Sequence, residues 1–141
     1  MRYQNVIALR TFSLLILLVP NLVKADTLSL NCEYSGTVDD NGKITGTSGE
    51  DHFTVIYDGS GKALIREDGL GTPYIGEITE NEIRGEAEHP MNDTLYSHQY
   101  SLIINRYTGE MTKFFSTKVK GKKGKGGLVH FGKCRSIKKK F

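Results

Sequence analysis

Two cysteines, four histidines, a few adjacent acids and one lysine-rich glycine loop are the residues of this chain whose types and spacing bear on chemistry. His52, His89, His98 and His130 are scattered, with no H-E-x-x-H spacing that would put two imidazoles on one metal ion. His98 and His130 fall in strand-like runs, where we expect hydrogen-bonded, partly buried imidazoles. The pairs Glu67/Asp68 and Glu86/Glu88 would suit acid–base work if burial raised one pKa. Their places beside a glycine turn and at alternate strand positions predict that they face water instead. No serine sits in G-x-S-x-G, which gives nucleophilic hydrolysis no support. The segment Asp39-Asp40-Asn41-Gly42 fails as a calcium loop: counting back from Gly42 puts Thr37 at the first ligand position and Ser48 where the bidentate Glu belongs. The expectation is a protein that is not an enzyme, with no metal ligands and no cofactor.

The lysine-rich segment, 118–127, carries Lys118, Lys120, Lys122, Lys123 and Lys125 among five glycine and valine positions that allow a turn. Ammonium groups gathered there suit the phosphates or sulfates of a polyanion, with affinity that falls as salt rises. Lys138, Lys139 and Lys140 extend the positive charge to the C-terminus. No aromatic residue interleaves the loop lysines to stack on bases, and the phosphate-loop pattern is missing because Gly127 stands where that motif needs its Lys. The competing expectation is a solvated hairpin whose lysines stop an exposed edge from pairing with other chains.

Charge is sorted along the chain. Residues 26–110 hold all 16 acids against five bases, a formal charge of −11, whereas residues 111–141 hold 11 Lys and Arg and no acid. Either the basic segment binds an outside anion, or basic late strands pair with acidic early ones across a sheet.

The elements that must position these residues begin after an export signal. Arg2 and Arg10 precede an apolar run over 12–19, and Val23-Lys24-Ala25 fits cleavage after Ala25. That run is shorter than the roughly 18 residues needed to span a bilayer. Cys32 and Cys134 would remain in the exported chain, and oxidation to each other is the expected outcome. Closing a loop of that length contributes at most about 4.7 kcal/mol in the chain-entropy picture. We assign 1–25 to the signal peptide, 26–134 to one β domain and 135–141 to a basic tail.

Within the domain, apolar and polar residues alternate over 28–34, 53–57, 74–78, 83–87, 95–105, 111–119 and 128–134, with a shorter run at 63–66. All 16 glycines lie after residue 25, many of them between these runs, where turns are required. No window shows a helical period. The pattern predicts an all-β fold: a single antiparallel meander of seven to eight strands, curled into a small barrel or closed sandwich whose ends are joined by the disulfide. The terminal Phe141 suggests a comparison with outer-membrane barrels, but most runs are too short and Lys133, Arg135 and Lys139 are in phase with it. Asn92-Asp93-Thr94 is a formal glycosylation sequon.

The segment Asn105-Arg106-Tyr107-Thr108-Gly109, followed by Cys134 and the basic end, resembles a pattern in small exported proteobacterial proteins with an N/D-R-x-T-G turn before a late strand. The resemblance covers about the last 40 residues and the early cysteine, and it implies a bacterial envelope protein. It carries over no functional residue. The expected function is a periplasmic or secreted binding or interaction module. The alternative is binding of a polyanion (lipopolysaccharide, anionic lipid or nucleic acid) through the lysine loop and tail, with an anionic envelope component as partner.

Overall fold

The structure, a computed structural model, describes residues 24–39, 41–91, 95–120, 122 and 125–136, the side chains of residues 125 and 126 excepted. Residues 1–23 of the expected export signal 1–25, the sequon at 92–94, Lys123 and the tail lysines 138–140 lie outside the described residues.

Among the described residues nine strands follow one another: β1 (Asp26–Val38), β2 (Ile44–Thr45), β3 (Gly49–Tyr57), β4 (Lys62–Glu67), β5 (Tyr74–Ile78), β6 (Glu82–Pro90), β7 (Tyr96–Asn105), β8 (Glu110–Val119) and β9 (Lys125–Ser136). Every pairing is antiparallel, and from β3 onward each strand pairs with the next in sequence. β1 pairs with β3 along one edge and with β9 along the other, so eight strands close into a barrel, with β2 a two-residue extension opposite the end of β1. Closure sets Cys32 directly opposite Cys134, and the two are joined as a disulfide 102 residues apart in sequence. Of the expected alternatives the fold is the barrel. β9 runs through Cys134 to Ser136, so Arg135, expected in the tail, belongs to the sheet.

Turns form where side chains supply local hydrogen bonds. Asp58 Oδ1 accepts from the backbone N–H of Ser60, and Gly61 follows at φ 83°. Asn105 Oδ1 accepts from the N–H groups of Tyr107 and Thr108 (2.9 and 3.0 Å), and Gly109 closes that turn at φ 74°. The Arg106 guanidinium donates to the Thr79 carbonyl in the neighbouring β5–β6 turn, and the Gly109 carbonyl accepts from the Cys134 N–H at 2.7 Å. The N-R-Y-T-G segment is therefore a structural corner that ties two hairpins and the last strand together.

Inside the barrel the side chains change character along every strand. On β3 the inward series runs Val55, Phe53, Asp51; on β4 Ala63, Ile65, Glu67; on β7 Ile104, Leu102, Tyr100, His98; on β8 Met111, Lys113, Phe115, Thr117. In each case the aliphatic residues lie toward the end that holds the β3–β4, β5–β6 and β7–β8 turns. The polar and aromatic residues lie toward the opposite end, where the β6–β7 and β8–β9 connections emerge. The aliphatic half is close-packed around Leu30, Val55, Ile65, Ile83, Leu102, Ile104 and Met111, each at most 6 % exposed.

Eight strands leave little room at the axis, and the inward pair Gly76 and Gly85, opposite each other on β5 and β6, supplies it. A Cβ at Gly85 would come within 2.8 Å of Tyr74 and 2.9 Å of Ile65. Replacing Gly85 with Ala is therefore expected to destabilise the fold by about 1–3 kcal/mol through overpacking. Urea unfolding checks this: an unchanged midpoint would mean that the sheet yields at this point.

A buried charged cluster at the polar end of the barrel

The late basic segment sends one of its lysines into the barrel. Lys113 lies on the inner face of β8 between Met111 and Phe115, and its residue is only 8 % exposed. Its ammonium group crosses to strands on the far side of the closure, donating to Asp51 Oδ2 of β3 at 2.5 Å and to Glu67 Oε1 of β4 at 2.8 Å. The side chains of Asp51 and Glu67 are 14 % and 11 % exposed. The second Glu67 oxygen accepts from the Tyr74 hydroxyl of β5 at 2.5 Å. Two strands of the acidic segment thus converge on one lysine of the basic segment, and a third supports Glu67.

The electrostatics follow from burial and pairing. Burial works against the Lys113 charge, but the hydrogen bonds and charges of Asp51 and Glu67 outweigh it and hold the lysine pKa above its ordinary value. Burial, then the hydrogen bond to Glu67, and then the charges of Glu67 and Asp51 push the Tyr74 phenol far above its usual range. Burial and the Glu67 charge also raise Tyr100, against the opposing effect of Lys113.

Around the cluster stands a set of rings. Tyr74 meets Phe53 and Tyr100 edge-on at 6.4 and 6.3 Å, Tyr100 meets Phe115 at 5.2 Å, and Phe115 meets His98 at 5.0 Å. On the other side Tyr34 of β1 stacks on His130 of β9 at 4.6 Å. His130 lies directly across from Lys113 on one side and from Thr37 of β1 on the other. Burial, followed by the nearby Lys113 charge, lowers the His130 pKa and keeps its imidazole neutral. His130 Nδ1 and the hydroxyl of Thr37, a residue 5 % exposed, are buried with no hydrogen-bond partner among the described residues. Asn31 Oδ1 is a third such atom, in phase with the outer face opposite Arg135.

These positions correct two expectations. Glu67 does not face water: alternation along β4 puts it on the same inner face as Ala63 and Ile65, while its neighbour Asp68 has left the strand. His130 is not a satisfied imidazole, because its inward partners across the sheet, Lys113 and Thr37, give its Nδ1 no hydrogen bond. His98 does match, with Nδ1 3.3 Å from the Thr117 hydroxyl. Glu86 and Glu88 are exposed as expected. Asp51, Lys113, Tyr74 and Thr37 were not singled out by the sequence, although Lys113 in phase with Met111 and Phe115 is the signal that would have found them.

The lysine loop is only partly described. Lys118 ends the outer face of β8, and Lys120 and Lys122 follow at alternate positions, both exposed. Lys118 has an acid of its own chain beside it: Glu88 is held below the usual carboxylate range by a hydrogen bond from Ser97, against a small cost of burial, with help from the Lys118 charge and from Gln99. Elsewhere on the outer face Lys133 of β9 stands opposite Glu33 of β1 and Glu110 of β8, so acids of the early segment and bases of the late one alternate across the closure. These residues, with Phe131, Glu50 and Arg135, line an open groove of about 1030 Å³ that lies outside the barrel and apart from the buried cluster.

Among the described residues no group of three or more His, Cys, Asp or Glu is arranged to hold a metal ion, and no helix is long and apolar enough to cross a membrane. No protein-family model, no curated protein and no solved structure matches the chain.

Truncating Lys113 to Met leaves two carboxylates facing each other in the barrel and is expected to cost about 3–5 kcal/mol. Changing Asp51 to Asn and Glu67 to Gln in the same background should recover most of that loss, which paired thermal melts will read. A triple variant no more stable than Lys113→Met would mean that the ammonium group acts through packing alone. The pH dependence has two arms. Both Lys113 and Tyr74 have raised folded pKa values, so their stabilisation is complete below their unfolded values of 10.5 and 10.0 and is lost as pH rises beyond them. His130 has a lowered folded pKa, so its contribution is present above 6.5 and is lost as pH falls below that value. Denaturation curves should show His130→Gln with a flatter acid arm and Tyr74→Phe with a flatter alkaline arm than the parent. Unchanged arms would remove these groups from the linkage.

Proposed function

We propose that this chain is an exported binding module that holds a small ligand in the polar end of its barrel. The observation that carries the reading is the Lys113, Asp51, Glu67 and Tyr74 cluster set inside the sheet where an aliphatic layer would serve stability as well or better. Barrel mouths are common ligand sites, typically apolar walls with a few convergent polar groups, and the rings of Tyr34, Tyr100 and Phe115 supply such walls here. The Cys32–Cys134 disulfide is compatible with an exported protein, and the periplasm or the medium is the compartment that fits the N-terminal sequence. Among the described residues no arrangement of nucleophile and base favours catalysis over binding. The protein recovered from an exporting host is expected to carry a small molecule in native mass spectrometry. A Tyr34→Ala, Tyr100→Ala variant that keeps its sheet spectrum should have lost it. A parent chain that emerges empty and takes up nothing from an envelope extract would end this reading.

A second reading keeps the polyanion as ligand, supported by Lys118, Lys120 and Lys122 at alternate positions on one hairpin. Against a short DNA duplex, changing those three to Gln should flatten the salt dependence of log K by up to about 0.9 for each phosphate that their ammonium groups neutralise. Binding absent at low salt, or a slope that the substitutions leave alone, would assign these lysines to solubility and edge protection.

A further inference from the structure

We infer that the outside of the polar end of the barrel is a docking surface for an anionic lipid bilayer, which it meets with exposed apolar side chains interleaved with lysines. The inference rests on the polyanion reading and names the anion.

Exposed apolar side chains are unevenly placed on this molecule. Of the ten large apolar residues exposed among the described residues, Ile44, Met91, Leu95, Tyr96 and Leu128 belong to the end where the β1–β2, β6–β7 and β8–β9 connections emerge. Of the same ten, one, Tyr107, belongs to the opposite end, and the remaining four lie along the wall. Apolar groups gathered in one exposed place mark an interaction site. Backbone pairing holds them there. The Lys120 N–H donates to the Leu95 carbonyl at 2.8 Å, the Met91 N–H donates to the Tyr96 carbonyl at 3.1 Å, and Ile44 lies opposite Val38 at the end of β1.

Lysines share that end. Lys43 precedes Ile44, Lys120 and Lys122 follow β8, and all three are exposed. Pro90, Leu95, Tyr96, Lys118 and Lys120 line one shallow hollow of about 330 Å³. Glu88 also lines it, engaged by the Ser97 hydroxyl at 2.6 Å, and its charge offsets that of Lys118. Asp39 stands at this end too, accepting from the N–H groups of Asn41 and Lys43, and Asp68 lies on the β4–β5 connection, half way round the barrel from Lys120. Positive charge and apolar surface therefore coincide on the side formed by β6 to β9. The turns at the opposite end carry Asp58 and Glu80, which orient the molecule with its lysines toward a negative surface.

An anionic bilayer satisfies both halves of this surface. Its phosphates attract the ammonium groups, and its headgroup–acyl boundary takes up aliphatic chains and suits a tyrosine ring. A nucleic acid would engage the lysines through its phosphates and leave Ile44, Met91 and Leu95 in water.

The test uses the oxidised protein recovered from an exporting host, with vesicles of phosphatidylglycerol mixed with phosphatidylcholine, and of phosphatidylcholine alone. The chain has no tryptophan, so Leu95→Trp and Tyr107→Trp each install a single reporter, one at either end of the barrel. The expected result is sedimentation with the anionic vesicles alone, with Leu95→Trp emission shifted to the blue and quenched by brominated acyl chains while that of Tyr107→Trp is unchanged. Lys120→Gln together with Lys122→Gln should weaken binding about thirtyfold at low salt. Met91→Ser together with Leu95→Ser should weaken it about tenfold. All four side chains are exposed, so both variants should melt close to the parent. Vesicle binding in which the two reporters are quenched alike, or neither is, would overturn the docking surface, as would affinity that either pair of substitutions leaves unchanged. Binding to a short DNA duplex but not to the anionic vesicles would overturn the bilayer and leave the polyanion reading standing. Binding to neither at low salt would overturn both.

Discussion

The pairing of β1 with β9 is the constraint on which everything else in this molecule depends. An open meander of eight strands would leave two edges with unpaired backbone groups and one face to cover. Closure removes both edges and turns one face into an interior. β1 is the longest strand, 13 residues, because it must serve β3 along one edge and β9 along the other. The irregularity between Tyr34 and Gly36 lets the strand keep its inward phase through that double duty, so that Thr37 still faces the barrel.

Closure also gives the charge sorting a physical meaning. In an open sheet β8 and β4 would be far apart; in the barrel their inner faces look at each other. Lys113 therefore reaches Asp51 and Glu67 across the lumen, and Lys133 stands between Glu33 and Glu110 on the outside. Of the two explanations for acidic early and basic late segments, the internal one accounts for these residues. It leaves Lys120 and Lys122, both exposed, unexplained.

The fold class is legible in the sequence because the alternation is strong and the turns carry glycines in the positions that need them, such as Gly61 and Gly109. The ends of β1 and β9 are not, because pairing rather than side-chain pattern decides where a strand stops: Arg135 and Ser136 stay in the sheet because Asn31 and Leu30 lie opposite them. The site is less legible for a different reason. Alternation tells which residues share a face but not which face is inside at a given height. A charged residue in phase with apolar ones reads as the solvated end of a strand until its counter-charges are located. Asp51 sits two residues before Phe53, and only the register that sets β3 against β4 and β1 shows it to be interior.

The topology also governs how the protein is made. The partner that completes β1 is the last strand of the chain, and Cys134 lies opposite Cys32 only when β9 is in place. During synthesis β1 waits for its last partner while the next seven strands emerge. Pairings between consecutive strands form from local contacts, but the seam joins residues about as far apart as the domain allows, which makes it the slow step. Until the seam forms, Lys113 and its carboxylates share no enclosed space. Before the seam forms the chain is a curled ribbon, and its interior comes into being at the moment the two ends meet.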